Sequence, residues 1–266
     1  RTGTEKVLAE HPKADISQIL RNPDTEVVEA VAAEHLKVDW IPLNERTAGD
    51  LKHLHGLLPG NIDIADRTQD DTLWVVRSSA AESPGDYHLY ERSKGTVTQL
   101  FTMRPDLKSY RLAPMQSQII RARDGLELVS YLTVPEGQEA GRESPLPMVL
   151  LVHGGPWARD GYGYHSQHQW LANRGYAVLS VNFRGSVGFG KAFVNAGDLQ
   201  WGRKMHDDLL DAVEWAVKHG IADQQRIAVM GGSYGGYATL AGLAFTPEVF
   251  CCGVDIVGPS NLETLL

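Results

Sequence analysis

Residues 231–235, Gly-Gly-Ser-Tyr-Gly, place a serine in a Gly-x-Ser-x-Gly pattern. Residues 226–230 before it and 237–244 after it are largely apolar, so the pattern predicts a strand, a tight turn and a helix. Such a turn leaves no room for side chains beside the serine, and its sharp corner raises the hydroxyl clear of the sheet. The helix N-terminus would stabilise negative charge that develops nearby. We therefore predict that Ser233 is the nucleophile of an acyl-transfer reaction; a glycine-rich turn with an incidental serine is the alternative.

A second motif, His-Gly-Gly-Pro-Trp at residues 153–157, directly follows an apolar strand predicted at 148–152. A turn at the end of a buried strand can aim a backbone N–H at the substrate oxygen. We expect the N–H of Gly155 and the N–H of Tyr234 to form an oxyanion hole, with a plain tight turn as the alternative. His153 is expected to orient this loop, because a triad histidine follows the serine in folds of this kind.

Further motifs extend the pattern on both sides of the serine: Asn-Phe-Arg-Gly-Ser at 182–186 with Gly-Phe-Gly at 188–190, Trp201-Gly202 with Asp207-Asp208, and Gly-Pro-Ser-Asn at 258–261. Together these motifs resemble the prolyl oligopeptidase family of serine peptidases, and most closely its acylaminoacyl-peptidase and dipeptidyl-peptidase-like branch. The resemblance is strong over residues 115–266. It implies a serine peptidase that cleaves short peptides by forming an acyl-enzyme on Ser233, in an α/β-hydrolase domain whose access a β-propeller restricts.

Two other classes of protein remain open. A carboxylesterase uses the same elbow and the same oxyanion hole, and an inactive hydrolase-like binding module could keep the fold without the chemistry. Comparing the hydrolysis of peptides with that of esters by the whole protein would separate a peptidase from a carboxylesterase. A serine that does not react with a fluorophosphonate would favour the binding module.

The sequence departs from the family pattern because no histidine occurs in residues 234–266. A serine nucleophile needs a histidine base that a carboxylate orients. The resemblance places both groups further along, so we expect this chain to be a fragment that lacks the C-terminal part of the catalytic domain and is inactive alone. Asp255 could serve as the triad acid, as in some lipases, although a supporting or solvated aspartate is the alternative.

The substrate pocket is less well defined by the sequence. Residues 260–264 contain no aromatic side chain of the kind that the family's proline-specific members use as a pocket wall, so proline preference is not expected. We predict that Val257 lines an apolar pocket. Arg184 is expected to shape the site through its loop, or else to form a surface salt bridge.

No cofactor or metal is expected. The spacing of His53 with His55, and of His165 with His168, would suit a metal ion, but no Cys, Asp or Glu cluster completes either set.

The elements that position these motifs change in character along the chain. Residues 106–266 are predicted to be the N-terminal portion of an α/β-hydrolase domain, with a mostly parallel sheet and helices on both faces, because apolar runs alternate with helical periodicity. The predicted strands are 128–134, 148–152, 177–181, 226–230 and 253–257, and a helix is predicted over 207–219.

Residues 1–105 are predicted to be the C-terminal blades of an incomplete β-propeller, because short alternating strands are separated by turn signals. Four strand candidates fall within residues 62–101, the length of one blade, and a partial blade is expected near residues 14–42. A small antiparallel sheet domain is the alternative.

Composition limits the partners. The net charge of −8 argues against a nucleic-acid or anionic-lipid surface, and no apolar run is long enough to span a membrane. The adjacent residues Cys251 and Cys252 are predicted to be packed core thiols, which favours the cytoplasm over a periplasmic or secreted location. A short peptide is the expected partner, and a homo-oligomer stays open.

Overall fold

Three β-sheets follow one another along the described part of the chain, which in this computed structural model comprises residue 3, residues 5–138 and residues 144–265. The predicted ranges 1–105 and 106–266 also include residues 1, 2, 4, 139–143 and 266, which lie outside the described residues. Two antiparallel sheets precede one larger mixed sheet.

The first two sheets are built from consecutive antiparallel strands. The three-stranded sheet contains β1 (Ile16–Arg21), β2 (Val28–Glu34) and β3 (Val38–Pro42). The four-stranded sheet contains β4 (Asn61–Arg67), β5 (Leu73–Ala80), β6 (Ser83–Glu91) and β7 (Thr96–Thr102). All four strand candidates that the spacing predicted within residues 62–101 are confirmed. Both sheets contribute to one apolar core that includes Trp40 and Trp74.

A helix between these sheets was not predicted. Helix α1 (Glu45–Leu57) begins where the Asn44 side chain accepts a hydrogen bond from the backbone N–H of Thr47 at 2.8 Å. Its buried apolar contribution to the core is small, and Leu51 and Leu54 supply it. Because few apolar residues mark the buried face, the hydrophobic periodicity is weak.

A buried ion cluster joins helix α1 to the four-stranded sheet. The guanidinium of Arg92 bonds to the carboxylates of Asp50, on α1, and Asp71, between β4 and β5. It also lies 4.4 Å from the ring centroid of Trp74, whose Nε1 donates to Asp71 at 2.7 Å. The hydroxyl of Tyr90 donates to Asp50 at 2.7 Å. The cluster therefore provides hydrogen-bond and charge partners for the buried Asp50 carboxylate, which allows this face of α1 to be buried.

Replacing Arg92 by Met should destabilise the protein by about 3–5 kcal/mol, because the buried carboxylate of Asp50 would lose its cation and that of Asp71 would keep only Arg67. Urea unfolding followed by tryptophan fluorescence would measure the loss. Arg121→Met, at a side chain that is 76% exposed, is the matched control and should change stability by less than about 0.5 kcal/mol. Equal stability of the two variants would contradict this role for the cluster.

The mixed sheet has the strand order β13-β12-β10-β11-β9-β8. Its strands are β8 (Met115–Arg121), β9 (Glu127–Thr133), β10 (Leu146–Val152), β11 (Ala177–Val181), β12 (Ala222–Gly232) and β13 (Cys252–Ile256). The last four strands are parallel, while β8 and β9 form an antiparallel hairpin at one edge. The helices that follow are α2 (Ser166–Ala172), α3 (Lys191–Asn195), α4 (Lys204–Lys218) and α5 (Tyr234–Phe245), and a short 3₁₀ helix spans Pro105–Leu107.

Alternation along β10 shows how the sheet is covered. Leu150 and Val152 belong to the large core that α4 and α5 cover, whereas Val149 and Leu151 face the opposite side, where they pack with Leu171 of α2. Helices therefore lie on both faces, as predicted. Strand β10 lies between β11 and β12, so the chain changes direction across the sheet at this point. The loops after β10 and β12 consequently meet at one edge, where ligands bind in sheets of this kind.

The prediction for the two cysteines was wrong. Cys251 and Cys252 are both exposed, with their Sγ atoms 4.0 Å apart. They lie at the start of β13, which is the edge strand of the described sheet, so the strand has no neighbour on that side within the described residues.

Among the described residues, no helix is both long enough and apolar enough to span a bilayer.

Candidate active site

The backbone at Ser233 turns sharply between β12 and α5. Ser233 has φ 55° and ψ −118°, an unusual conformation for a residue with a side chain, and it is exposed. Its N–H donates to the carbonyl of Ile256 at 2.9 Å, which ties the turn to the end of β13. Strand, turn and helix therefore have the order that the Gly-x-Ser-x-Gly pattern predicted.

Two glycines make this turn possible. A Cβ atom on Gly235 would lie 2.1 Å from the carbonyl oxygen of Val152, and one on Gly231 would lie 2.4 Å from the carbonyl carbon of Gly235. In contrast, a Cβ on Gly232 would have its nearest contact at 3.8 Å. The serine turn thus packs directly against the end of β10, and Gly231 and Gly235 are sterically required there whereas Gly232 is not.

The His-Gly-Gly turn lies beside the serine. A Cβ on Gly154 would be 3.4 Å from the Cβ of Ser233, so the two backbones are in near contact. Gly155 has φ +115°, a conformation that favours glycine. Among the described residues, neither the N–H of Gly155 nor that of Tyr234 donates a hydrogen bond. Both donors are therefore uncommitted within the described part of the chain.

His153 supports this loop and is held in place by it. Its Nδ1 lies 2.7 Å from the carbonyl of Gly154, and its Nε2 lies 2.9 Å from the Ser186 hydroxyl. The ring stacks on Phe183 with centroids 4.5 Å apart. Burial lowers the pKa of His153 to about 4, so the ring is neutral near pH 7. The Nδ1–H donates to this carbonyl, and the Nε2 lies against the Ser186 hydroxyl, whose proton is donated to the carbonyl of Phe183 at 2.6 Å.

The side chain of Tyr234 continues this aromatic packing. Its ring centroid lies 5.2 Å from that of Phe183 and 4.6 Å from that of Trp201. Only 2% of Tyr234 is exposed, and burial raises the pKa of its hydroxyl. Its ring is therefore part of the core, and the contribution that it can make to the site is its backbone N–H.

Arg184 is buried, so its ion pairs are not the surface salt bridge that was the alternative to a role in shaping its loop. It is 4% exposed, and its guanidinium bonds to Asp208 on α4 and to Asp124 in the β8–β9 turn at 2.7–3.0 Å. The ion pair lowers the pKa of Asp124 to about 2. The backbone N–H of Arg184 also donates to Asp208 at 2.8 Å. Arg184 thereby fixes the loop that carries Ser186, the partner of His153.

Val257 follows β13 with φ 50° and is 86% exposed. The neighbouring Asp255 accepts a hydrogen bond from the N–H of Gly258 at 2.8 Å, which supports this turn. A cavity of about 250 Å³ adjoins the serine turn and includes His153, Gly154 and Gly232 in its wall. The cavity wall contains neither Val257 nor Arg184.

The cavity wall also contains Asp160 and His165, which the sequence did not single out for this site. The Oδ2 atom of Asp160 and the Nδ1 atom of His165 are buried, and within the described residues neither has a hydrogen-bond partner. Burial raises the pKa of Asp160 to about 7. Its backbone N–H donates to Asn182 at 2.8 Å, which joins the loops after β10 and β11. No short motif marks these residues.

Two of the four histidines considered as metal ligands, His168 and His53, have other partners. His168 lies between the hydroxyls of Thr133 and Ser180 at 2.9 and 2.8 Å, and His53 contacts the carbonyl of Gly95 at 2.8 Å. In the described ranges, no group of three or more His, Cys, Asp or Glu residues converges as a metal site would require.

Comparison with known proteins identifies the family. Residues 162–265 match the model of the prolyl oligopeptidase family. Dipeptidyl aminopeptidase BIII from Pseudoxanthomonas mexicana is 54% identical over 269 residues, covering 100% of this chain and 39% of that protein. Dipeptidyl peptidase family member 6 from Caenorhabditis elegans is 42% identical over 281 residues, covering 98% of this chain and 38% of that protein. The chain belongs to the prolyl oligopeptidase family of serine peptidases.

The fold agrees with this assignment. The crystal structure of Porphyromonas gingivalis dipeptidyl peptidase 4 matches with a TM-score of 0.73 at 20% sequence identity, covering 96% of this chain and 36% of that one. The chain therefore spans less than half the length of each of these relatives.

Replacing Gly235 by Ala should destabilise the protein by about 1–3 kcal/mol or more, because the new methyl group would overlap a backbone carbonyl that cannot rotate away. Gly232→Ala is the matched control in the same turn, where the added carbon makes ordinary contacts. Urea unfolding of both variants would measure the difference. A stable Gly235→Ala variant would disprove the close approach to Val152.

Acid should weaken the fold through His153. Its folded-state pKa of about 4 lies below the value of about 6.5 in an unfolded chain. Its contribution is therefore complete above pH 6.5 and is lost as the pH falls towards 4, by up to about 3 kcal/mol. Urea unfolding across this range should show a smaller decrease in His153→Asn than in the parent, and equal decreases would contradict the low pKa.

Proposed function

We propose that the whole protein is a serine peptidase that releases dipeptides from the free N-termini of short peptides through an acyl-enzyme on Ser233. The observation that supports this proposal most directly is the exposed, strained Ser233 beside two uncommitted N–H donors. The names of the two sequence relatives, a dipeptidyl aminopeptidase and a dipeptidyl peptidase family member, support the dipeptide product.

In this mechanism the Oγ of Ser233 attacks the carbonyl carbon of the scissile bond while a general base accepts its proton. Negative charge develops on the carbonyl oxygen, where the N–H groups of Tyr234 and Gly155 stabilise it. The tetrahedral intermediate collapses as the C–N bond breaks and the base returns its proton to the amine. Water then attacks the resulting ester by the same route, which frees Ser233 and the dipeptide.

The base is not His153, because its ring is held between the Gly154 carbonyl and the Ser186 hydroxyl and its low pKa makes it a weak proton acceptor. We propose that the triad histidine and its carboxylate come from sequence outside this chain, which spans 39% of its bacterial relative. The Oδ1 of Asp255 accepts the N–H of Gly258 in its own turn, and we assign Asp255 a supporting role there.

Two parts of the chain would then have different roles, one in catalysis and one in substrate access. We propose that residues 106–266 are the N-terminal portion of an α/β-hydrolase domain, and that residues 1–105 are the last blades of a propeller that limits access to short peptides. The mixed sheet with its serine elbow supports the first assignment, and the consecutive antiparallel sheets support the second. Val257, exposed at the carboxyl end of β13, would provide an apolar contact for substrate, and Arg184 would act through its loop.

Labelling with a fluorophosphonate tests the nucleophile. The whole protein should react at Ser233, and Ser233→Ala should abolish both labelling and hydrolysis of a dipeptidyl nitroanilide. Faster hydrolysis of simple esters than of peptides would favour a carboxylesterase. Absence of labelling in the folded parent would favour a binding module.

Replacing Gly155 by Ala should lower kcat about a hundredfold or more, because the loss of one oxyanion donor has an effect of that size. The variant is strained at φ +115°, and its Cβ would lie 2.5 Å from the backbone nitrogen of Trp157. Gly49→Ala, in open space on helix α1, is the matched control. Steady-state kinetics would measure both, and an unchanged kcat in Gly155→Ala would remove this donor from the mechanism.

A further inference from the structure

The loop that carries Gly155 continues to Arg159, and Arg159 reaches the three-stranded sheet. Its Nη1 donates to the carbonyl of Glu34 at 2.6 Å, and its Nη2 donates to the carbonyl of His35 at 3.2 Å. The Glu34 carboxylate lies 3.6 Å from Nη2. Residues 34–37, here called the blade turn, connect β2 to β3. One arginine of the candidate active-site loop therefore binds the backbone of another sheet.

The surroundings of Arg159 fit its side chain closely. The guanidinium carbon lies 4.4 Å from the ring centroid of Phe189. A Cβ on Gly188 would lie 2.7 Å from Nη1 of Arg159, and one on Gly161 would lie 2.5 Å from the Glu34 carboxylate. Only 15% of the Arg159 side chain is exposed. The guanidinium therefore occupies a defined position that larger neighbours would disturb.

Side chains of the mixed sheet also form hydrogen bonds with the blade turn. The hydroxyls of Tyr131 and Ser117 each donate to the carbonyl of Leu36 at 3.2 Å. The ammonium of Lys37 lies 4.0 Å from the ring centroid of Tyr162. These contacts fix the blade turn relative to the sheet that carries Ser233, so Arg159 binds a fixed point.

The path from Arg159 to Gly155 is short and hydrogen bonded. The Nε of Arg159 donates to the carbonyl of Asp160 at 3.1 Å, and the N–H of Ala158 donates to the carbonyl of Pro156 at 2.8 Å. The carbonyl of Ala158 accepts the N–H of Val187 at 3.0 Å. Hydrogen bonds therefore link Arg159 and Ala158 to the segment that begins at Pro156, next to Gly155.

We propose that Arg159 is a positioning residue through which the blade turn sets the N–H of Gly155 against Ser233, so that the oxyanion hole is complete only while the two sheets are docked. This inference rests on the proposed peptidase function. Small displacements in such sites have large effects: a shift of about 1 Å can cost about a hundredfold in rate. Separation of the sheets would thus lower catalysis as well as open the site.

The test uses the whole protein and its variants Arg159→Met and Arg159→Lys. For Arg159→Met we expect kcat for a dipeptidyl nitroanilide to fall about 10–100-fold while KM changes less than about threefold. Affinity for a dipeptidyl aldehyde, whose hemiacetal oxygen occupies the oxyanion hole, should fall by the same factor as kcat/KM. Affinity for the dipeptide product should not change. Arg159→Lys keeps the charge but not the forked donors, so it should show an intermediate loss.

Arg121→Met, at an exposed arginine remote from this loop, is the matched control and should behave as the parent does. If Arg159→Met does not fold, the same measurements on Arg159→Lys decide. A folded variant with unchanged kcat and aldehyde affinity would overturn the proposal, and so would equal losses of aldehyde and product affinity, which would indicate substrate binding.

The outcomes separate this inference from the proposed function. Turnover that depends on Ser233 but not on Arg159 would remove the positioning role alone. If the folded parent shows neither turnover nor labelling at Ser233, both proposals fail together.

Discussion

The candidate site depends on one close approach between two backbone segments. The carbonyl oxygen of Val152, at the end of β10, occupies the space that any side chain at position 235 would need. This contact brings the carboxyl ends of β10 and β12 together, so the His-Gly-Gly and Gly-x-Ser-x-Gly motifs, which are far apart in sequence, become neighbours. The near contact of Gly154 with Ser233 follows from it, and the N–H of Gly155 lies on the same turn.

Around this contact, the supporting groups form a continuous packed set. His153 stacks on Phe183, Phe183 packs against Tyr234, and Tyr234 follows Ser233 in sequence. Arg184 stabilises this packed set through ion pairs, which connect the loop that carries Phe183 to helix α4 and to the β8–β9 hairpin. The two N–H groups of the proposed oxyanion hole are thus attached to one packed core, as stabilisation of charge by preorganised dipoles would require.

The parts that could be predicted from sequence are those that local patterns determine. The helix predicted over 207–219 is observed as Lys204–Lys218, because its apolar residues recur at helical spacing. Helix α1 could not be predicted in this way, since its buried Asp50 depends on Arg92, which is remote in sequence. The burial of Arg184 likewise depends on Asp208 and Asp124, and no local pattern predicts those pairings. Residues that act through distant partners, Arg159 among them, therefore need the three-dimensional structure.

The backbone conformation of Ser233 has a thermodynamic consequence. Positive φ with this ψ costs a residue with a side chain about 1–3 kcal/mol, whereas glycine adopts such angles readily. A chain with no use for the hydroxyl would gain stability from glycine at this position, next to the glycines already there. Serine at this position therefore lowers the free energy of unfolding relative to glycine. Its presence there is consistent with the use of its hydroxyl in the proposed reaction.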